Sequence, residues 1–211
     1  MGNQIQPENA EPTVSIKSLK PAMTQAEIEL FRQIFIGKKS AVEYGCGGST
    51  ALALELGVQE IWSIDSNLDW LDKIRQHPST APAVLANKLN LLHIDLGPTA
   101  KWGFPADKSK VGNWPLYAAK VWGDLGEKSQ DIDIVLVDGR FRVACVLAAL
   151  VFARPDALIV VHDFTRDSYQ AVHEFCTVAA LCDSLALLVR RPGLSAPRLV
   201  ARLLEYSVDP R

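Results

Sequence analysis

The stretch VEYGCGGSTALALELG, Val42 to Gly57, passes from a short apolar run through three glycines in four positions into a helical run. Glycine lets a backbone turn sharply, and it lets a ligand approach main-chain atoms that a side chain would shield. Gly45 and Gly47 can do both, while Gly48, Ser49 and Thr50 open a helix whose unpaired amide groups point into the same crevice. A dinucleotide fingerprint would need glycine at position 50, where Thr50 stands, and it has no particular use for Glu43. Asp65 ends the next apolar run twenty residues after Gly45, where an acid can accept hydrogen bonds from both hydroxyls of a ribose.

Outward from this unit, short apolar runs alternate with amphipathic ones, the pattern of a parallel sheet covered on both faces by helices. Strands are expected at 40–45, 60–65, 89–95, 132–138, 157–163, 177–182 and 185–190, and helices at 49–56, 67–76, 116–125, 141–153 and 167–175. Only Asp183 and Ser184 separate the last two strands, too short a link for a parallel crossover, so they form an antiparallel hairpin. The fold class is therefore α/β, a doubly wound, Rossmann-like, mostly parallel seven-stranded sheet closed by a C-terminal antiparallel hairpin. Before it, Thr24 and Glu27 spell a capping box, Ile28, Phe31, Ile34 and Phe35 make an apolar face, and Gly37 stops the helix. After Pro192, SAPRLVARLLEY reads as an amphipathic helix with Ser195 as its N-cap. Residues 1–22, polar and proline-punctuated, are expected to be an arm, and 23–211 a single domain. Gly97 to Pro115 breaks the rhythm. Its nineteen residues carry Trp, Lys, Gly and Pro without periodicity and suggest a lid.

The balance of 22 Lys and Arg against 24 Asp and Glu gives a net charge of -2 and no basic face for nucleic acid. The first twenty residues lack the basic start and apolar centre of a secretory signal, Gln6 breaks a myristoylation signal, and the longest apolar run, Val143–Ala153, is too short to span a bilayer. Cys46, Cys145, Cys176 and Cys182 show no metal or redox spacing and read as reduced thiols. The expectation is a cytoplasmic protein that acts on a small molecule and touches neither nucleic acid nor membrane. The sequence leaves its oligomeric state open.

VEYGCGGST resembles the first motif of class I S-adenosylmethionine-dependent methyltransferases, and WSIDSN, LLHIDLG and DIVLVDG resemble their second-, third- and fourth-strand segments. The form is most like small uncharacterised bacterial methyltransferase-like proteins, through GPTAKWGFP, DGRFRVAC and the pair before Phe164. The resemblance covers about residues 20–192 and implies a seven-stranded sheet that binds S-adenosylmethionine. It puts Glu43, Gly45, Gly47 and Ser49 at the methionine end, Asp65 with Ser66 at the ribose, and Asp95 at the adenine.

In an open sheet the chemistry sits at the carboxyl ends of the strands. There lie Asp138 and the pair His162–Asp163, with Arg140 and Arg142 flanking Phe141. Metal-dependent relatives such as catechol O-methyltransferase bind a divalent ion with acids at these places, so Asp138, His162 and Asp163 would be the ligands of any metal here. A histidine in the set argues against magnesium, which prefers all-oxygen ligation. The other reading makes His162 or Asp163 a general base that its neighbour orients. Two cations in the first turn of a helix need compensation, either from Asp138 and Asp163 or from a carboxylate or phosphate on the substrate. The expectation is O-methylation of a small acceptor. The rivals are a methyltransferase-like nucleoside binder without turnover and, further off, a nicotinamide-dependent oxidoreductase.

Overall fold

A computed structural model describes residues 19–211. The expected strands form one sheet from β1 (Ser40–Tyr44), β2 (Glu60–Asp65), β3 (Leu89–His93), β4 (Ile134–Val137), β5 (Leu158–Val161), β6 (Cys176–Cys182) and β7 (Leu185–Arg190). Their order is β3-β2-β1-β4-β5-β7-β6. The first five are parallel, and β7 runs antiparallel to both β5 and β6. Strand order reverses between β1 and β4, which places the ligand crevice beyond their carboxyl ends.

The two-residue period of a strand sends alternate side chains into two cores. Val42, Tyr44, Val135 and Val137 join the layer of α5 (Trp114–Leu125), α6 (Arg142–Phe152) and α7 (Ala196–Tyr206). Ala41, Ile134 and Leu136 join the layer of α1 (Gln25–Phe35), α2 (Gly48–Glu55) and α3 (Leu68–Gln76). Both β1 and β4 are buried throughout, and α6 is buried from Arg142 to Leu150. Ladder hydrogen bonds continue one residue past the central strands, from Asp138 N to Tyr44 O (2.9 Å) and from His162 N to Val137 O (3.1 Å). They fix the two side chains expected to carry chemistry at the sheet's edge.

Several expectations need correction. The segment expected as a helix at 167–175 is a run of 3₁₀ turns, Asp167–Glu174. A 3₁₀ run rises about 2.0 Å per residue against about 1.5 Å for an α-helix, so it reaches further before β6 must begin. A short helix, α4 (Ala81–Leu85), occupies a stretch to which no element was assigned. Ser195 stands at the N-cap of α7 but makes no capping bond with its side chain; Pro197 in the first turn presets the helical φ and has no N–H to leave unpaired. Helix α6 begins after Phe141, not at it, because Phe141 is left-handed at φ 53°. The capping box of Thr24 and Glu27 forms as expected, Gly37 follows α1 at φ 77°, and the four cysteines are unpaired thiols. Among the described residues no helix is long and apolar enough to cross a membrane. Residues 1–18 of the expected arm lie outside the described part of the chain.

Candidate active site

At the switch point, backbone meets backbone. Gly45 is held at φ 89°, and a Cβ on it would stand 2.8 Å from Gly139 N; a Cβ on Gly139 would stand 2.1 Å from Tyr117 Oη. No residue larger than glycine fits either place without displacing main chain or the buried tyrosine. Beneath this turn lies Glu43, 2 % exposed, which accepts hydrogen bonds at 2.6 Å from each of Ser49 Oγ, Thr50 Oγ1 and Ser63 Oγ. Burial pushes its carboxyl up, the hydroxyls draw it back, and it settles at about 7. Glu43 and Ser49 thus have their polar atoms engaged with each other, bracing α2 and β2 below the turn. Thr50, also hydrogen-bonded to Gly47 N at 2.9 Å, occupies the position where the dinucleotide motif needs glycine. Trp70 Nε1 donates to Cys46 O at 2.7 Å and pins the turn from the side.

Asp65 ends β2 beside the same turn. It accepts from Asn67 N at 2.9 Å and faces Cys46 Sγ at 3.8 Å, and burial raises its pKa. Ser66 presents its carbonyl to His93 Nε2 at 3.1 Å, a contact that gives His93 a partner the sequence did not reveal. Asp95 is exposed two residues beyond β3. It accepts from Gly97 N at 2.9 Å and pairs with Lys110 at 3.3 Å, contacts that hold its carboxyl below the ordinary range. The structure therefore brings Asp65 and Ser66 to the glycine turn, and it ties Asp95 into the base of the 97–113 loop.

At the ends of β4 and β5 three acids and three cations interlock. His162 Nδ1 lies 3.0 Å from Asp138 Oδ1, and its Nε2 lies 3.5 Å from Glu27 Oε2. Arg142, 3 % exposed, bridges Asp138 Oδ1 at 3.2 Å and Asp163 Oδ2 at 3.1 Å, and its guanidinium also reaches the carbonyls of Gly139 and His162. Arg166 closes on Asp163 at 2.6 Å. Burial works against the charge on His162, but Asp138 first, then Asp163 and Glu27, outweigh it and raise its pKa. Carboxylates therefore stand at both ring nitrogens of His162, an arrangement that favours its protonated form. Asp138 uses Oδ1 for both partners. The ligand atoms of Asp138, His162 and Asp163 lie within 4.8 Å of one another. That set does not fit a metal, since the Arg142 guanidinium already bridges the two carboxylates and a dication would have to displace it.

The 97–113 loop crosses the carboxyl edge of the sheet. It is pinned by a Thr99–Pro105 bridge, by Ala100 N to Phe104 O (2.7 Å) and by Trp114 Nε1 to Leu96 O (3.2 Å). A Cβ on Gly103 would lie 3.3 Å from Ser66 Oγ and 4.0 Å from Arg140 Cγ, so the loop joins the end of β2 to the end of β4. Phe104 faces the Arg140 guanidinium at 4.3 Å, whereas Trp102 is 75 % exposed at the tip. Tyr117, fully buried, accepts a hydrogen bond at its hydroxyl from Arg140 N at 3.3 Å. Phe141 and Asp163, on either side of the network, are left-handed at φ 53° and 58°, a strain of about 1–3 kcal/mol each that dense contacts must hold. Those contacts include Phe141 N to Pro210 O (3.4 Å) and Arg142 N to Arg211 O (3.0 Å), which supply the acceptors that the first turn of α6 lacks.

Sequence reasoning gave Glu27 only a capping role, it passed over Ser63, and it left open whether Arg142 pairs with Asp138 and Asp163 or with an anion on the substrate. The one signal for Glu27 was its capping box, and nothing in sequence spacing brings α1 to the end of β5.

No protein-family model and no curated protein matches the chain. Solved structures do. A methyltransferase-like protein from Silicibacter pomeroyi is 29 % identical over 91 % of this chain and 98 % of its own, with a TM-score of 0.77. An O-methyltransferase from Bacillus cereus, solved with SAH, is 13 % identical over 81 % of this chain and 84 % of its own, at TM-score 0.52. A methyltransferase from Geobacter sulfurreducens is 14 % identical over 81 % and 82 %, at TM-score 0.51. The chain has the fold of the class I S-adenosylmethionine-dependent methyltransferases.

Proposed function

We propose that this chain is an S-adenosylmethionine-dependent methyltransferase that acts on the oxygen of a small-molecule acceptor. One observation carries the reading: bare main chain at Gly45 and Gly139 meets in the crevice of a methyltransferase topology, with Asp65 on one side and Asp138 on the other. The glycine turn offers amide groups to the amino-acid tail, and Asp65, with Ser66 beside it, offers its carboxylate to the ribose. When bound, S-adenosylmethionine supplies an already activated methyl group, so the chain needs to orient the reactants, exclude water and take a proton.

Asp138 takes that proton from the acceptor hydroxyl through Oδ2, while His162 and Arg142 hold its other oxygen. His162 and Arg142 are positioning residues. Phe104 and Gly103 exclude water above the crevice, and the 97–113 loop lifts to admit ligands. Isothermal titration of the full chain with S-adenosylhomocysteine tests donor binding: heat with saturation is expected, and its absence at protein concentrations near a millimolar would count heavily against the reading. Asp138→Asn is expected to keep that binding and lower turnover by about 10²–10⁴-fold, the usual range for a lost acid–base group.

A further inference from the structure

Resting on that reading, we infer that Arg140 is the receptor for an anionic group, a carboxylate or phosphate, on the methyl acceptor. Arg140 is 5 % exposed, and both Nε and Nη1 are buried without a hydrogen-bond partner. A buried guanidinium is expected to pair, because its charge has left water. Among the described residues no ion pair reaches Arg140: Asp138 pairs through Oδ1 with His162 and Arg142, and Asp163 pairs with Arg142 and Arg166. Of the two arginines that flank Phe141, one is therefore neutralised within the fold and the other is not.

Position points the same way. Arg140 is the second residue after Asp138 and follows Gly139, so its backbone borders the place where the acceptor must lie. Its guanidinium carries Phe104 of the loop on one face, and Arg142 and Arg166 are near enough to add their positive charge. An anion here would complete the cation's hydrogen bonds, balance the surplus charge and give the loop a reason to close over a loaded crevice. The acceptor class is then a hydroxylated organic acid or a phosphorylated alcohol, held by Arg140 while its hydroxyl faces Asp138.

The same chemistry could come from the carboxylate of the donor's own amino-acid tail, and the test separates the two sources. Wild type, Arg140→Gln and Arg140→Lys are titrated at constant ionic strength with inorganic phosphate and with benzoate, alone and with S-adenosylhomocysteine. The same proteins are titrated with S-adenosylhomocysteine and with 5′-methylthioadenosine, which lacks the tail. The expected result is saturable anion binding by wild type, at least tenfold weaker in Arg140→Gln and partly kept in Arg140→Lys, with nucleoside affinities changed less than threefold. If Arg140→Gln instead loses S-adenosylhomocysteine but keeps 5′-methylthioadenosine, the anion is the donor's tail and the inference fails. Absence of any anion binding or anion-dependent thermal stabilisation in wild type also overturns it, whether or not Arg140→Gln folds. If wild type binds anions through Arg140 but takes no nucleoside, the methyltransferase reading fails while the anion site stands.

Discussion

Glu27→Gln isolates a contact that joins the first helix, the C-terminal hairpin and the carboxyl edge of the sheet. Glu27 is 3 % exposed and accepts hydrogen bonds from Thr24 N (2.9 Å), Ser184 N (2.9 Å) and Ser184 Oγ (2.7 Å), with His162 Nε2 at 3.5 Å. Burial alone would raise its carboxyl, but these donors and the His162 charge outweigh burial and hold it at about 2, against 4.5 ordinarily. As pH falls from 4.5 towards 2, the unfolded chain binds a proton that the folded chain refuses. The stabilisation is therefore complete above about pH 4.5 and is lost as acid passes through that window. At about 1.4 kcal/mol per tenfold change, it amounts to about 3 kcal/mol. Glutamine keeps the size but loses the charge, and it aims an amide NH₂ where donors already converge. Urea unfolding followed by tryptophan fluorescence is expected to show Glu27→Gln about 2–4 kcal/mol less stable than wild type at pH 7, with the gap narrowing below pH 4. The His162 imidazole, followed by NMR, should titrate at lower pH in the variant. A variant within about 0.5 kcal/mol of wild type at pH 7, or one whose stability runs parallel to wild type down to pH 3, would refute this reasoning.

Glu43 has the opposite sign. Its carboxyl stays protonated to about 7 in the fold, so wild-type stability should fall as pH climbs from 4.5 to 7, by up to about 3 kcal/mol, and Glu43→Gln should remove that slope. Denaturation curves at pH 5 and pH 8 decide the point, and equal slopes for the two proteins would refute it. Asp65→Ala removes the acceptor proposed for both ribose hydroxyls; at about 1.5–3 kcal/mol for each hydrogen bond to a charge, S-adenosylhomocysteine affinity should drop at least about 100-fold by calorimetry, and retained affinity would dismiss the ribose role. Gly139→Ala should destabilise the fold by about 2–4 kcal/mol, because its Cβ would meet Tyr117 Oη at 2.1 Å. Tyr117→Phe deletes the colliding atom, so a thermal-melt double-mutant cycle should show partial rescue; additive losses would mean that the clash is not the cause.

Much of this architecture was legible because it depends on short-range patterns. The strand–glycine turn–helix at Val42–Gly57 announced a doubly wound sheet, and the two-residue link Asp183–Ser184 forced the antiparallel hairpin. Asp65, Asp138 and His162 could be placed at the sheet's carboxyl edge because each ends an apolar run. Strand ends were harder to set: Asp95 was read as part of β3 but lies beyond it, paired with Lys110, since a solvated acid at a strand end gives no signal of the partner it will find. The 3₁₀ turns at Asp167–Glu174 were missed because helical periodicity does not distinguish a tight helix from an α-helix over eight residues.

By itself, then, the sequence determined the layers and the direction of each strand, since both follow from periodicity and turn chemistry. Only tertiary structure decided how the charges were shared. Arg140 and Arg142 lie two positions apart on one turn, and no local rule says which receives the carboxylates. Packing settles it: β4, β5 and α6 close around Arg142 with Asp138 and Asp163 in reach, while Arg140 lies under Phe104 with Nε and Nη1 unpartnered among the described residues.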